Sequence, residues 1–173
     1  MEIIQYDNTD TSVLRQISQH IPLPTITTPV IQTFITELIT TLDSQGDGVG
    51  ISAVQVGNPI RLFILSHKAY EADKKTAPSN HRIFINPRIT KVSKDGQIFE
   101  EGCLSIRGVY GDVQRPFSIT IEAYNEHGEL FIEQANGFVA QVIQHEMDHL
   151  DGILFIDHTE TLRYSDTYET PAE

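Results

Sequence analysis

The sequence predicts an α+β fold in which antiparallel strands pack around a central helix, and three patterns carry that expectation. A helical apolar period starts at Pro29, and a second starts at Phe138. Between them, short apolar runs alternate with turn residues, as in a chain of strands and hairpins.

Taken in order, the opening IIQY looks like a strand and TSVLRQISQ like a short helix. From Pro29 the periodicity is clearer. Val30, Ile31, Phe34, Ile35, Leu38, Ile39 and Leu42 recur at spacings of three and four, which builds an apolar stripe of about four turns. Pro29 suits the first turn, where its missing N–H costs nothing, and Gly46 lies just past the end. A glycine-marked loop, GDGVGISAVQVGNP, leads to the strand-like RLFILS; the polar HKAYEADKKTAPSNH has no apolar period and is expected to be a surface loop. IFINPRITKV follows as a strand, and NEHG between FSITIEAY and ELFIEQ predicts a β-hairpin. Phe138, Val139, Val142, Ile143, His145, Glu146, His149 and Leu150 then suit a helix that stops at Asp151-Gly152. The expected division is one catalytic domain over residues 1–158 and a polar, acidic tail over 159–173.

The 173 residues suffice for one domain with a true core, and 39% apolar with 21% charged residues is ordinary globular composition. The start MEIIQYDNTDTSVL lacks a signal-peptide pattern, and no apolar run is long enough to cross a bilayer, so a cytoplasmic location without membrane attachment is expected. With 24 acidic against 12 basic side chains, the net charge of −12 repels phosphate backbones and argues against direct nucleic-acid binding. Cys103 is the only cysteine; no internal disulfide can form, and composition alone would make it core filling.

Within QHEMDHLDG, residues His145, Glu146 and His149 spell H-E-x-x-H. On a helix, positions i and i+4 lie one turn apart on one face, so both imidazoles can reach a single ion, while Glu146 is turned about 100° away toward a bound water. The bland alternative is a solvated face of charged residues. Val142, Ile143 and Leu150 weigh against it, since buried imidazoles and carboxylates need partners. A catalytic site of this kind uses three protein ligands and one open position. Downstream, Asp151, Asp157, His158 and Glu160 are weak third-ligand candidates; upstream, EEGCLSIRG offers the Cys103 thiolate, completing a Cys-His-His set.

Three stretches together resemble the motifs of the peptide deformylase family: GVGISAVQ (Gly48 to Gln55), EGCLS (Glu101 to Ser105) and QHEMDH (Gln144 to His149). The resemblance runs from about Leu14-Arg15 to Asp157. It implies a peptide-deformylase-like fold and removal of the formyl group from N-terminal formylmethionine of new proteins, with release of formate. It further implies one divalent metal per chain, usually Fe(II), with Zn(II), Ni(II) or Co(II) able to replace it; ligand softness alone does not choose iron. Carried onto this chain, Cys103, His145 and His149 would bind the metal, and Glu146 would act as general base and then general acid. The Gln55 side-chain amide and the Leu104 N–H would stabilise the oxyanion. Gly50 would contact the extended peptide, and Val49, Phe138 and Gln141 would line the methionine pocket. The expected partners are formylmethionyl peptides and nascent chains, met by a monomer. Gly48 and Gly50 also have a plain reading as turn residues, and Val49 and Phe138 one as core.

The chain departs from the family pattern in several places. Ser52-Ala53 stands where two alanines are usual, Arg107-Gly108 where Pro-Gly is common, and Gln141 where an apolar residue faces the methionine pocket. The acidic tail cannot dock on the ribosome as a basic C-terminal helix would. Glu101 and Arg115 are expected to be two exposed charges rather than an ion pair, and no argument from sequence places Gln144. Two other classes remain at this point: an H-E-x-x-H endopeptidase, for which Cys103 would be dispensable, and a non-catalytic protein with a structural metal or a peptide groove.

Overall fold

The computed structural model describes residues 1–6, 12–72, 78 and 80–165. Helix α1 spans Pro29–Asp43 with Pro29 in its first turn. Its stripe buries Ile35, Leu38 and Leu42 and leaves Val30 at the entrance exposed. Strands β1 (Gly50–Ser52), β2 (Leu62–Leu65), β3 (Arg82–Val92), β6 (Ser118–Tyr124) and β7 (Leu130–Asn136) form a five-stranded antiparallel sheet in the order β1-β2-β3-β6-β7. The β6–β7 pair is the hairpin predicted around NEHG.

Strand β2, LFIL, is buried at every position because the sheet is covered on both faces. Leu62 and Ile64 pack with Ile35, Leu38 and Leu42 of α1. Phe63 and Leu65 join Val139, Val142, Ile143, Met147 and Leu150 of helix α3 (Gly137–Leu150) in the other half of the core. Nearly all of α3 is buried, so it is the central helix the sequence called for. It follows β7 without a loop, and Gly137, at φ +61°, makes that turn in a backbone region open mainly to glycine.

A second sheet of β4 (Gly96–Cys103), β5 (Ile106–Pro116) and β8 (Leu162–Tyr164) closes over a small core of Val109, Val113 and Phe155. Strands β4 and β5 meet in a two-residue turn, Leu104-Ser105.

Four sequence readings need correction. Residues 67–72 of the polar stretch form a short helix, α2 (His67–Ala72), held by buried Ala69 and Tyr70 in the α3 core; the rest of that stretch up to 77 lies outside the described residues. The opening IIQY is no strand, although Ile4 N–H bonds to the Gln55 carbonyl and Tyr6 N–H to that of Ser105. TSVLRQISQ shrinks to a 3₁₀ turn at Val13–Arg15. The glycine-marked loop contains β1 and a 3₁₀ turn at Ala53–Val56, because Ile51 and Ala53 pack into the α1 core. Among the described residues no helix is long and apolar enough to cross a membrane.

Candidate metal centre and active site

A cleft of about 310 Å³ opens where β1, the β4–β5 turn and α3 meet. Four of the sequence-predicted residues stand on its inner wall, namely Gln55, Cys103, His145 and Glu146, with His149 just beneath them. The ligand atoms of Cys103, His145 and His149 lie within 4.8 Å of one another. Cys103 Sγ is 3.3 Å from His149 Nε2, and His149 Nδ1 is buried without a hydrogen-bond partner among the described residues. The one-turn offset of the histidines therefore does what the spacing predicts, and Cys103 enters from the other sheet.

Glu101 and Arg115 are not exposed charges. Arg115 donates from Nε and Nη2 to the two Glu101 oxygens at 2.8 and 3.0 Å, and from Nη1 to Asp148 Oδ2 at 2.6 Å. Both members are buried. Glu101 Oε2 also lies 2.9 Å from His145 Nδ1, which fixes the ring and leaves Nε2 for a metal. Burial alone would raise the Glu101 pKa, but the hydrogen bonds from His145 and Arg115 outweigh it and hold the carboxyl at about 2.

The donor set fits a divalent ion. Burial disfavours a charged His145, yet the hydrogen bonds with Cys103 and Glu101 and the field of Glu146 raise its pKa well above the ordinary value. Burial and the neighbouring His145 push His149 the other way, well below its ordinary value, so a neutral imidazole lies beside the Cys103 sulfur. One thiolate and two imidazoles are ligands for borderline ions, and three protein ligands leave a position open.

Glu146 is buried beside this cluster, and burial pushes its carboxyl up to about 7, against the opposing pull of His145 and of the Ser52 hydroxyl. Ser52 Oγ donates to Glu146 Oε2 at 2.6 Å. The other oxygen, Oε1, lies over Gly50; a Cβ built there would stand 2.6 Å from it, so the close approach requires glycine at 50. Gln55 is held from both ends: its Oε1 accepts from Ser52 N–H at 2.8 Å, and its Nε2 reaches Ser105 Oγ at 3.1 Å and Cys103 Sγ at 3.6 Å. Leu104, in the β4–β5 turn, lines the cleft, and Gln5 Nε2 fastens that turn through the Leu104 carbonyl at 3.0 Å. Val49, Gly50, Phe138 and Gln141 line the same cleft. Gln144 points elsewhere, bonding to the carbonyls of Pro116 and Ala140.

This architecture has close counterparts. The polypeptide deformylase family matches over residues 1–164. The chain belongs to that family. The peptide deformylase of Caulobacter vibrioides is 40% identical over 162 residues, which cover 93% of this chain and 88% of that protein. That of Psychrobacter cryohalolentis is 41% identical over 148 residues, covering 82% and 76%. Among solved structures, the class I type b peptide deformylase of Acinetobacter baumannii with Met-Ala-Ser bound superposes with a TM-score of 0.80 at 28% identity, covering 91% of this chain and 97% of that one. The Synechococcus elongatus peptide deformylase in complex with actinonin gives 0.76 at 33% identity, covering 91% and 78%. The peptide deformylase family consists of metal-dependent hydrolases that remove the N-formyl group of new polypeptides, and this chain is one of them. That membership sets aside the endopeptidase and non-catalytic alternatives.

Sequence reasoning missed the Ser52 bond to Glu146, the roles of Gln5 and Ser105 and the Arg115-Asp148 link. Only Ser52 left a signal, as a serine where the family pattern has alanine.

Proposed function

We propose that this chain deformylates N-terminal formylmethionyl peptides with Glu146 as the proton carrier, in a single domain that runs past the expected boundary at 158, since β8 (Leu162–Tyr164) of the expected tail pairs with β5. The observation that supports this most is the placement of Glu146, with Oε2 held by Ser52 and Oε1 over Gly50 beside the Cys-His-His cluster. Cys103, His145 and His149 would hold one divalent ion, Fe(II) in our reading with zinc, nickel or cobalt as substitutes, which when bound supplies Lewis-acid activation of water. Glu146 accepts the proton of the attacking water and passes it to the leaving amine, a cycle for which the Ser52 bond and its place beside the cluster position it. The Gln55 amide and the Leu104 N–H are the donors for the oxyanion that forms on the formyl oxygen. Gly50 lets the peptide backbone approach β1 as an added strand, and Val49, Phe138 and Gln141 receive the methionine side chain. Nascent chains are met in the cytoplasm by a monomer, and the acidic tail makes no ribosomal docking site; tight, tail-dependent ribosome binding would contradict this.

The experiment is formate release from a short N-formyl-methionyl peptide by anaerobically prepared, Fe(II)-loaded protein, beside Glu146→Ala and Cys103→Ala. Release by the wild type and its loss in both variants is expected, with metal content retained in the first variant and lost in the second. Full activity in Glu146→Ala would refute the assignment.

A further inference from the structure

Gln141 is the anomaly of the cleft. It sits one turn before His145 on the same face of α3, is only 5% exposed, and shares its wall with the apolar Val49, Phe138 and Val142. Its Oε1 is buried and has no hydrogen-bond partner among the described residues. A leucine would fill this volume without leaving an amide unpaired, so glutamine at 141 is disfavoured unless something that enters the cleft pairs with it. As it stands the unpaired atom is an acceptor; half a turn about the soft terminal amide torsion exchanges the two ends and sets the Nε2 donor at that place, where an acceptor entering the cleft can pair with it.

We propose that Gln141 is a specificity-determining residue that reads the sulfur position of the substrate's first side chain by hydrogen bonding. This rests on the reading that the cleft takes a formylmethionyl terminus. The side chain next to the formyl amide then runs along the wall that carries Gln141. A thioether sulfur accepts a hydrogen bond weakly, a sulfoxide oxygen accepts one strongly, and the methylene of norleucine accepts none. The pocket therefore disfavours norleucine and admits the polar sulfoxide, the reverse of an all-apolar pocket. Peptides starting with oxidised formylmethionine become part of the substrate class.

The test measures kcat/KM for three N-formyl tripeptides that differ only in the first side chain: methionine, norleucine and methionine sulfoxide. In the wild type, norleucine is expected to fall about 2- to 4-fold below methionine, the low end of what one hydrogen bond is worth because the thioether is a weak acceptor, with the sulfoxide within about threefold of methionine. In Gln141→Leu, methionine and norleucine should converge while the sulfoxide drops about tenfold or more. A structural role for Gln141 would lower all three together. Unchanged ratios between wild type and variant overturn the proposal. Gln141→Met serves as a second variant, with the same expected pattern. Should neither fold, the wild type decides: norleucine turned over as fast as methionine refutes the role of Gln141. Failure of the wild type to release formate from the methionine peptide refutes the deformylase reading itself, a distinct outcome.

Discussion

Replacing Arg115 with methionine removes a guanidinium and keeps most of the volume. Arg115 is 5% exposed and Glu101 1%, and the guanidinium also holds Asp148, so two carboxylates lose their counter-charge while Glu101 stays out of water. Breaking a buried pair from one side costs about 3–5 kcal/mol, because the remaining charge is left uncompensated. For a chain of this length each kcal/mol lowers Tm by about 2–4 °C, so the expected drop is about 6–20 °C. Thermal denaturation followed by circular dichroism reads it directly. Arg88→Met is the internal control, since the Arg88 side chain is 71% exposed against Glu122 at 3.2 Å, and such a pair is worth about 0–1 kcal/mol. Adding Glu101→Leu to Arg115→Met should return much of the lost stability, as the fully buried charge is then gone and the remaining Asp148 is partly exposed and keeps His158. Arg115→Met alone frees the Glu101 carboxylate that orients His145, so metal affinity should fall about 10- to 100-fold. An Arg115→Met protein that melts within about 2 °C of wild type would refute the claim that this pair is a buried ionic unit.

Other outcomes follow from the same geometry. Gly50→Ala places a methyl group 2.6 Å from Glu146 Oε1 and so displaces the carboxylate, and kcat/KM should fall about 100-fold with little change in melting, since displaced reacting groups cost rate more than stability. Ser52→Ala releases Glu146 Oε2; steady-state kinetics should show kcat reduced about tenfold with KM unchanged, and an unaltered kcat would mean that the hydroxyl does not position the base. Stripping the metal with a chelator removes a ligand specific to the folded state. At a metal concentration 100 times Kd that ligand adds about 2.7 kcal/mol, so a fall in Tm of about 5–11 °C, reversed on reloading, is expected from calorimetry.

What could be foreseen follows from the range of the interactions. The apolar stripe of α1, the β6–β7 hairpin and the histidine spacing on α3 are local patterns, and each was legible. Helix α2 was not, because six residues with only Ala69 and Tyr70 buried carry no period; its helicity comes from docking beside α3. Glu101 and Arg115 alternate with polar neighbours on β4 and β5, and nothing nearby says that α3 covers them. The Ser52 bond joins residues 94 positions apart, and the Gln55–Ser105 bond joins residues 50 apart. The family motifs pointed to the site despite these distances, while the groups that steer its carboxylates stayed hidden.

The position of α3 in the chain carries a consequence for biosynthesis. His145, Glu146 and His149 arrive on a helix that begins at Gly137, after every strand of the larger sheet has been made. Until then Phe63, Leu65, Phe84 and Ile121 lack the helix that supplies the larger part of their cover. A growing chain short of that point is both inert and adhesive. An enzyme that trims other proteins at the start of their lives thus waits for its own last long helix, and the element that carries the histidines is also the one that closes its apolar core.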